Sequence, residues 1–153
     1  MTRFLSILLL CTFGPVESAR AAAECPHSKI RPGIEFSVAL ESTKSGRTLQ
    51  FEGQSFTLPN RADIDSKDIE RIELTEDAAP LGTPHKVVAF TLTKAGTKKL
   101  ATLTEKHFGR ALVVVLAGEA ISAPTIRSAI SEGRFFLSPP KDRSFSLNDF
   151  CRP

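Results

Sequence analysis

The sequence is poor in the residues that most site chemistry needs. It contains only three cysteines and three histidines. Cys11, Cys25 and Cys151 form no CxxC pair and no Cys/His cluster, which leaves a redox or zinc centre without ligands. His27, His85 and His107 are far apart and lack carboxylate or thiolate neighbours at metal-ligand spacing. No glycine-rich loop of the phosphate-cradling kind is present. Ser122, in "ISAP", does not sit in a nucleophile elbow. These absences predict no catalytic residue, no metal site and no cofactor. Beyond the first segment no run of about 18 consecutive apolar residues occurs, so no further membrane span is expected.

The first segment has a basic start at Arg3, an apolar run from Phe4 to Phe13, and small residues ending at Ala21-Ala22-Ala23. That order describes a secretory signal peptide over residues 1–23, with cleavage after Ala23, or alternatively after Ala21. Its apolar run is too short to span a bilayer. The remainder, 24–153, is about 130 residues, enough for one domain with one core and no more. The expected location is periplasmic or secreted. Charge is equally uninformative about a polyanion. Removing Arg3, Arg20 and Glu17 leaves 18 basic and 16 acidic residues, interspersed, so nucleic-acid binding is not expected. Cys11 leaves with the signal. Cys25 and Cys151 remain, one near each end, and an oxidising compartment favours a disulfide between them over two free thiols. On the chain-entropy model so long a loop contributes roughly 5 kcal/mol.

What is present is pattern. Ile34, Phe36, Val38 and Leu40 alternate with polar or small residues, which predicts a strand with one wet face. Ser45-Gly46 supplies a turn, Leu49 and Phe51 mark a second strand, Gly53 breaks it, and Phe56 and Leu58 continue a small meander. Asp65 or Ser66 can cap a single helical turn at Lys67-Asp68-Ile69, followed by apolar Ile69, Ile72 and Leu74. His85 to Thr93 reads as a strand with Val88, Phe90 and Leu92 on one face. Thr93 caps a helix from Lys94 to Phe108 whose inner stripe is Gly96, Leu100, Leu103 and His107, with Ala101 and Phe108 beside it. Gly109 suits a left-handed C-terminal cap. Arg110 to Ala117 is an apolar strand covered on both faces. Ser122 and Pro124 then start a second helix with Ile126, Ala129 and Ile130 inward, ended by Gly133. Arg134 to Ser138 is a last strand, stopped by Pro139-Pro140, and the tail to Cys151 has little pattern. The sum is an α+β fold, a two-layer sandwich with two helices packed on a mainly antiparallel sheet.

From Gly53 to Ser138 these elements resemble the head subdomain of the first periplasmic region of SecD, a component of the SecDF complex that assists protein export. The resemblance rests on the "GQSFTL" strand, the "KDI" step at Lys67-Asp68-Ile69, the helix in "VAFTLTKAGTKKLATLTEKHFGRAL" with Thr104 and Gly109 as its T-x(4)-G ending, and "VVVLAGEAISAPTIRSAISEGRFFLS". It implies a ferredoxin-like module of the kind thought to engage polypeptides in the periplasm. It does not carry over translocase activity, because SecD needs transmembrane helices for proton-coupled work. Ala117 stands where the family usually has Asp before Gly118. Alanine tolerates positive φ poorly, so a type II′ turn with Gly118 first is expected there. Glu24 to about Arg47 and the tail after Ser138 have no clear counterpart.

The functional reading is therefore a non-enzymatic binding or accessory module, contacting polypeptide or an envelope protein partner. Adjacent strand residues point to opposite faces, so one of Phe135 and Phe136 is core and the other is free to meet a partner. An open sheet edge could also take an extended peptide. The alternative is a small envelope enzyme in the unmatched N-terminal part or tail, with Glu35, Glu41 and His27 as its candidates. His107 shares a helix face with Leu103 and reads as a partly buried core residue.

Overall fold

Alternating apolar residues can build a sheet only if something covers their face, and here the strands cover one another. The computed structural model describes residues 23–40, 46–77, 85–140 and 143–153. The signal segment up to residue 22, the Ser45 side of the first turn and most of the loop before His85 lie outside the described residues. Among the described residues ten strands form three antiparallel sheets where the sequence pattern suggests one. β1 (Ala23–Pro26), β6 (Ile69–Asp77), β7 (His85–Leu92) and β10 (Arg134–Leu137) make the first, in the order β1-β6-β7-β10. β5 (Ile64–Asp65), β2 (Ile34–Val38), β8 (Leu112–Leu116) and β9 (Glu119–Ser122) make the second, in that order. β3 (Arg47–Phe51) and β4 (Gln54–Leu58) form a separate hairpin.

The inner faces of the two larger sheets enclose the main core. Ile34, Phe36 and Val38 meet Leu112, Val114 and Leu116 within one sheet, and Ile72, Phe90 and Phe135 face them from the other. Phe36 packs edge-on against Phe90 and Phe135, at 5.4 and 5.0 Å between ring centres, while Phe90 and Phe135 stack at 5.1 Å. The other side of β8 is buried as well: Val113 and Val115 form a smaller core with Leu58, packed by Leu49 and Phe56 of the hairpin. That accounts for the unbroken apolar run of this strand.

β6 shows how spacing encodes a defect. Ile69, Ile72 and Leu74 all turn inward although the first interval is three residues. A register shift between Ile69 and Arg71 inserts the extra residue as a bulge and restores the alternation beyond it.

One long helix, α1 (Lys94–Lys106), closes the side of the main core. Thr93 caps it, its hydroxyl accepting the Gly96 N–H at 3.1 Å. Gly96, Leu100 and Thr104 are buried and Leu103 and His107 are half-buried, whereas Phe108 is 71% exposed and not part of the stripe. The C-cap residue is His107. Gly109 does have positive φ, 82°, but it lies beyond the cap and donates its N–H to Ile126 O, not back into the helix.

The helix expected after Pro124 does not form. Ser122 is the last residue of β9 and caps nothing, and Pro124 starts no helix. Pro124 to Gly133 runs along the end of α1 as an irregular segment with one isolated bridge, Thr125 to Ala111. Its groups bond outward: Leu112 N–H donates to Pro124 O, Ile126 N–H to Arg110 O, and Ile130 N–H to the buried Thr104 hydroxyl at 2.9 Å. Gly133 ends no helix. It turns the chain into β10 with φ 68°, its carbonyl accepting the Leu92 N–H at 2.7 Å, and a Cβ there would strike the Thr97 side chain.

The second helix belongs to the tail. α2 (Leu147–Phe150) is one turn with a reciprocal cap between Ser146 and Asp149, and it seats Phe150 in the core against Phe90 and Phe145. Cys25 of β1 and Cys151 are joined by a disulfide, with Cα atoms 6.1 Å apart. Arg31 N–H donates to Phe150 O and Arg152 N–H to Lys29 O, so the tail is also tied to the start of the domain through its backbone.

The β8–β9 turn differs from expectation too. Leu116 pairs with Glu119, which fixes Ala117-Gly118 as the two loop residues. Both have positive φ, 51° and 88°, the signature of a type I′ turn and not of type II′. Glu52-Gly53 closes the β3–β4 hairpin in the same way, with φ values of 47° and 77°.

Candidate functional site

The most distinctive surface lies along β10. Phe135 is core, 8% exposed, and Phe136 stands on the opposite face of the sheet, 56% exposed. The pair therefore divides as adjacent strand residues must. Among the described residues β10 pairs only with β7, so its other side is a sheet edge. The bond from Leu92 to Gly133 sets the phase of the ladder. In an antiparallel pair hydrogen-bonded and non-bonded positions alternate, so Phe135 and Leu137 bond to β7. The N–H and C=O groups of Arg134 and Phe136 point away from it, with no backbone partner among the described residues.

Around Phe136 the outer face is shaped by its neighbours in register, Ala89 on β7 and Glu73 on β6. Arg134 lays its guanidinium over the Phe136 ring at 5.2 Å while bonding to Glu73 at 2.9 Å. Arg71 bridges on from Glu73, at 3.6 Å, to Glu24 of β1, at 3.8 Å. This ladder of alternating charge runs from β10 over Ala89 of β7 to β6 and β1. Exposed ion pairs of this kind stabilise by only a few tenths of a kcal/mol each, about 1 at most. Their larger effect is to fix the Arg134 and Glu73 side chains, with the Phe136 ring half exposed beside the guanidinium. A groove of about 390 Å³ opens beside it, lined by Thr75, Glu76, Val87, Arg134 and Phe136.

The α1 docking site has a different character. Asp65 caps a 3₁₀ turn at Ser66–Asp68, accepting the Lys67 N–H at 2.8 Å, while Asp68 accepts the Asp65 N–H. The buried Asp68 carboxylate takes Lys99 at 2.7 and 2.9 Å, and its carbonyl accepts the Thr93 N–H. Gly96 lies so close that a Cβ would collide with the Asp68 carbonyl oxygen and sit 2.9 Å from its Cβ. The Asp68 carboxylate and carbonyl tie this turn to α1, so the "KDI" step and the glycine of the helix have a packing role.

The residues considered for chemistry are not brought together. His27 bonds through Nδ1 to Ile69 O at 2.6 Å and borders a small pocket of about 180 Å³ whose lining includes no carboxylate. Glu35 is on the outer face of the second sheet, ion-paired with Arg47 of the hairpin. Glu41 lies outside the described residues. Among the described residues no group of three His, Cys, Asp or Glu is placed to hold a metal ion. Sequence reasoning marked Thr104 only as part of the T-x(4)-G ending and missed its buried hydroxyl, which donates to Leu100 O and accepts from the Ile130 N–H. The signal was available in the helical spacing of Thr104 from Leu100, which places it on the buried face.

The described residues thus form an α+β module of three antiparallel sheets and two capped helices. The family model for the SecDF P1 head subdomain matches residues 40–142, and the chain belongs to that family. The match extends beyond the resemblance at both ends, so residues 40–47 and 139–142, read from the sequence as lacking a clear counterpart, fall inside it. Two solved structures share the fold. One is SecDF in a super-membrane-facing form, with a TM-score of 0.55, 21% identity and 82% of this chain covered. The other is a SecDF membrane component that enhances protein export, with a TM-score of 0.50, 22% identity and 72% of this chain covered. The chain spans 18% and 56% of those two chains. No curated protein matches it. Among the described residues no helix is long and apolar enough to cross a membrane.

Proposed function

We propose that this protein is an exported, non-enzymatic accessory module of the SecDF head type that binds extended polypeptide along β10. In this reading residues 1–23 are a signal peptide, 24–153 form one domain, and the location is periplasmic or secreted. Membership of the SecDF P1 head family supports an accessory role in protein export. The observation that carries the reading is the open edge of β10. It offers the outward N–H and C=O of Arg134 and Phe136 to a fifth strand of the sheet, with an exposed ring on the same strand. A segment pairing there gains backbone hydrogen bonds that do not depend on its sequence, and a side chain opposite Phe136 lies against the ring. Pro139-Pro140 limits the edge to a short stretch, which suits weak, reversible capture and protects against edge-to-edge aggregation.

The test is binding of a permanently unfolded, reduced and carboxymethylated polypeptide to the disulfide-intact protein. Phe136→Ala is expected to weaken binding roughly fivefold to tenfold, a loss of about 1 kcal/mol. Phe136→Pro, which also removes an outward N–H, weakens it further without breaking a bond to β7. Binding that is absent in the wild type, or unchanged in both variants, rules the reading out.

A further inference from the structure

We propose that the end of α1 forms a second contact surface, independent of β10, that docks on an anionic phospholipid bilayer. Phe108 is the most exposed large apolar side chain among the described residues, at 71%. It projects from the turn that follows the helix and lines none of the described grooves. Unlike Phe136, Phe108 lies on no strand and so has no open sheet edge beside it at which an extended peptide could pair. A bilayer interface accepts a convex apolar tip to the depth of the headgroup–acyl boundary, provided that the surrounding side chains suit the headgroups.

The surroundings here are basic. Lys98 and Lys106 lie on α1, lining a groove of about 520 Å³ with Leu103, His107, Lys99 and Asp63. Arg127 approaches from the other side, because Gly109 N–H donates to the carbonyl of Ile126, the residue before it. Lys98, Lys106 and Arg127 are exposed and have no ion-pair partner among the described residues, whereas Lys99 is held by Asp68. The acidic groups nearby are Glu105, exposed one turn back, and Asp63, whose carboxylate already accepts the Val38 N–H. Two uncommitted cations near one projecting ring, Lys106 and Arg127, with Lys98 about 15 Å further up α1, combine the two signals that reversible attachment requires, an apolar insertion and attraction to a negative surface.

The experiment is co-sedimentation of the disulfide-intact protein with vesicles of pure phosphatidylcholine or of phosphatidylcholine mixed with phosphatidylglycerol. Binding is expected to the mixed vesicles only and to fall as salt is added. The double substitution Lys106→Glu and Arg127→Glu should lower it at least about tenfold. Phe108→Ala should lower it roughly fivefold, since only part of the ring is taken from water. All three positions are at the surface, and an unchanged melting temperature shows that the variants fold. Phe136→Ala should leave vesicle binding unaltered, and Phe108→Ala should leave polypeptide binding unaltered, so the two surfaces fail or stand separately. Equal binding to both vesicle types, no effect of these variants, or competition by an acidic peptide in place of lipid overturns the proposal.

Discussion

Lys94–Lys106 and Pro124–Gly133 lie against one another, and they satisfy their backbone groups in opposite ways. The first closes its bonds internally as a capped helix. The second lends its groups to β7, β8 and the end of α1. Both carry apolar residues at helical spacing. The difference lies in length, capping and competition. Short helices are marginal without tertiary support, because nucleation is unfavourable. The second stretch also contains β-branched Thr125, Ile126 and Ile130, together with Ser128 and Ser131, which favour extended or turn conformations over helix interiors. Strand-like pairing with Arg110 and capture of the Ile130 N–H by Thr104 then decide the outcome. Helical periodicity is thus a statement about which residues are inward, and it fixes the conformation only when no neighbour offers the backbone a better set of partners.

The largest expected effect comes from disturbing the helix side of this comparison. Gly96→Ala should raise helix propensity by about 1 kcal/mol. The added Cβ meets the Asp68 backbone, which cannot yield as a flexible side chain would. Overpacking of this kind costs about 1–3 kcal/mol or more, so we expect a net loss of about 2 kcal/mol. The melting temperature should fall by roughly 6–10 °C. A rise would mean that α1 does not approach Asp68 as closely as described.

The irregular side is broken more gently. Thr104→Val keeps the shape and removes the acceptor of the Ile130 N–H. Leaving a half-buried donor unpaired costs about 1–2 kcal/mol, and amide exchange at Ile130 should accelerate while α1 stays protected. Thr104→Ser should restore much of the loss. Unchanged exchange at Ile130 would show that packing alone holds the segment.

Those two sites also explain how much of the molecule was legible. The strands with clear alternation, the Thr93 cap and the Asp65 cap were readable because each depends on neighbours within a few residues. The disulfide was readable from compartment and number. β9 was not, because Glu119–Ser122 acquires its conformation from pairing with Val114 to Leu116, and the sequence alone offers Ser122 and Pro124 as an equally good helix start. α2 had a signal that went unused, Ser146 followed three residues later by Asp149. The division into three sheets was invisible for a different reason. Both faces of β8 are apolar, which announces that two layers cover it but not that one layer is the β3–β4 hairpin. At the candidate site the opposition of Phe135 and Phe136 follows from strand geometry, whereas the choice of which ring is buried required knowing which face of β10 meets Phe36.

The smallest effect tests the same lesson at a single residue. Ala117 is forced to φ 51° by register, since the Leu116–Glu119 pair leaves no other two-residue loop. An L residue with a Cβ loses about 1 kcal/mol or more in this region, while asparagine recovers part of that through local hydrogen bonding. Ala117→Asn should therefore stabilise the protein by about 0.5–1 kcal/mol, raising the melting temperature by roughly 2–4 °C. Glu52, at φ 47° in the other hairpin, is the natural control, and Glu52→Asn should give a gain of similar size. The two turns differ in one respect: Ala117 also donates its N–H to Gly33 O at 2.9 Å, so its loop is held by the body of the domain, whereas no such bond reaches Glu52 among the described residues. If strain at Ala117 is relieved by that anchor, Ala117→Asn will gain less than Glu52→Asn. A destabilised Ala117→Asn would show that the loop adopts the type II′ geometry that its sequence suggests, with the register of β9 shifted by one residue to match.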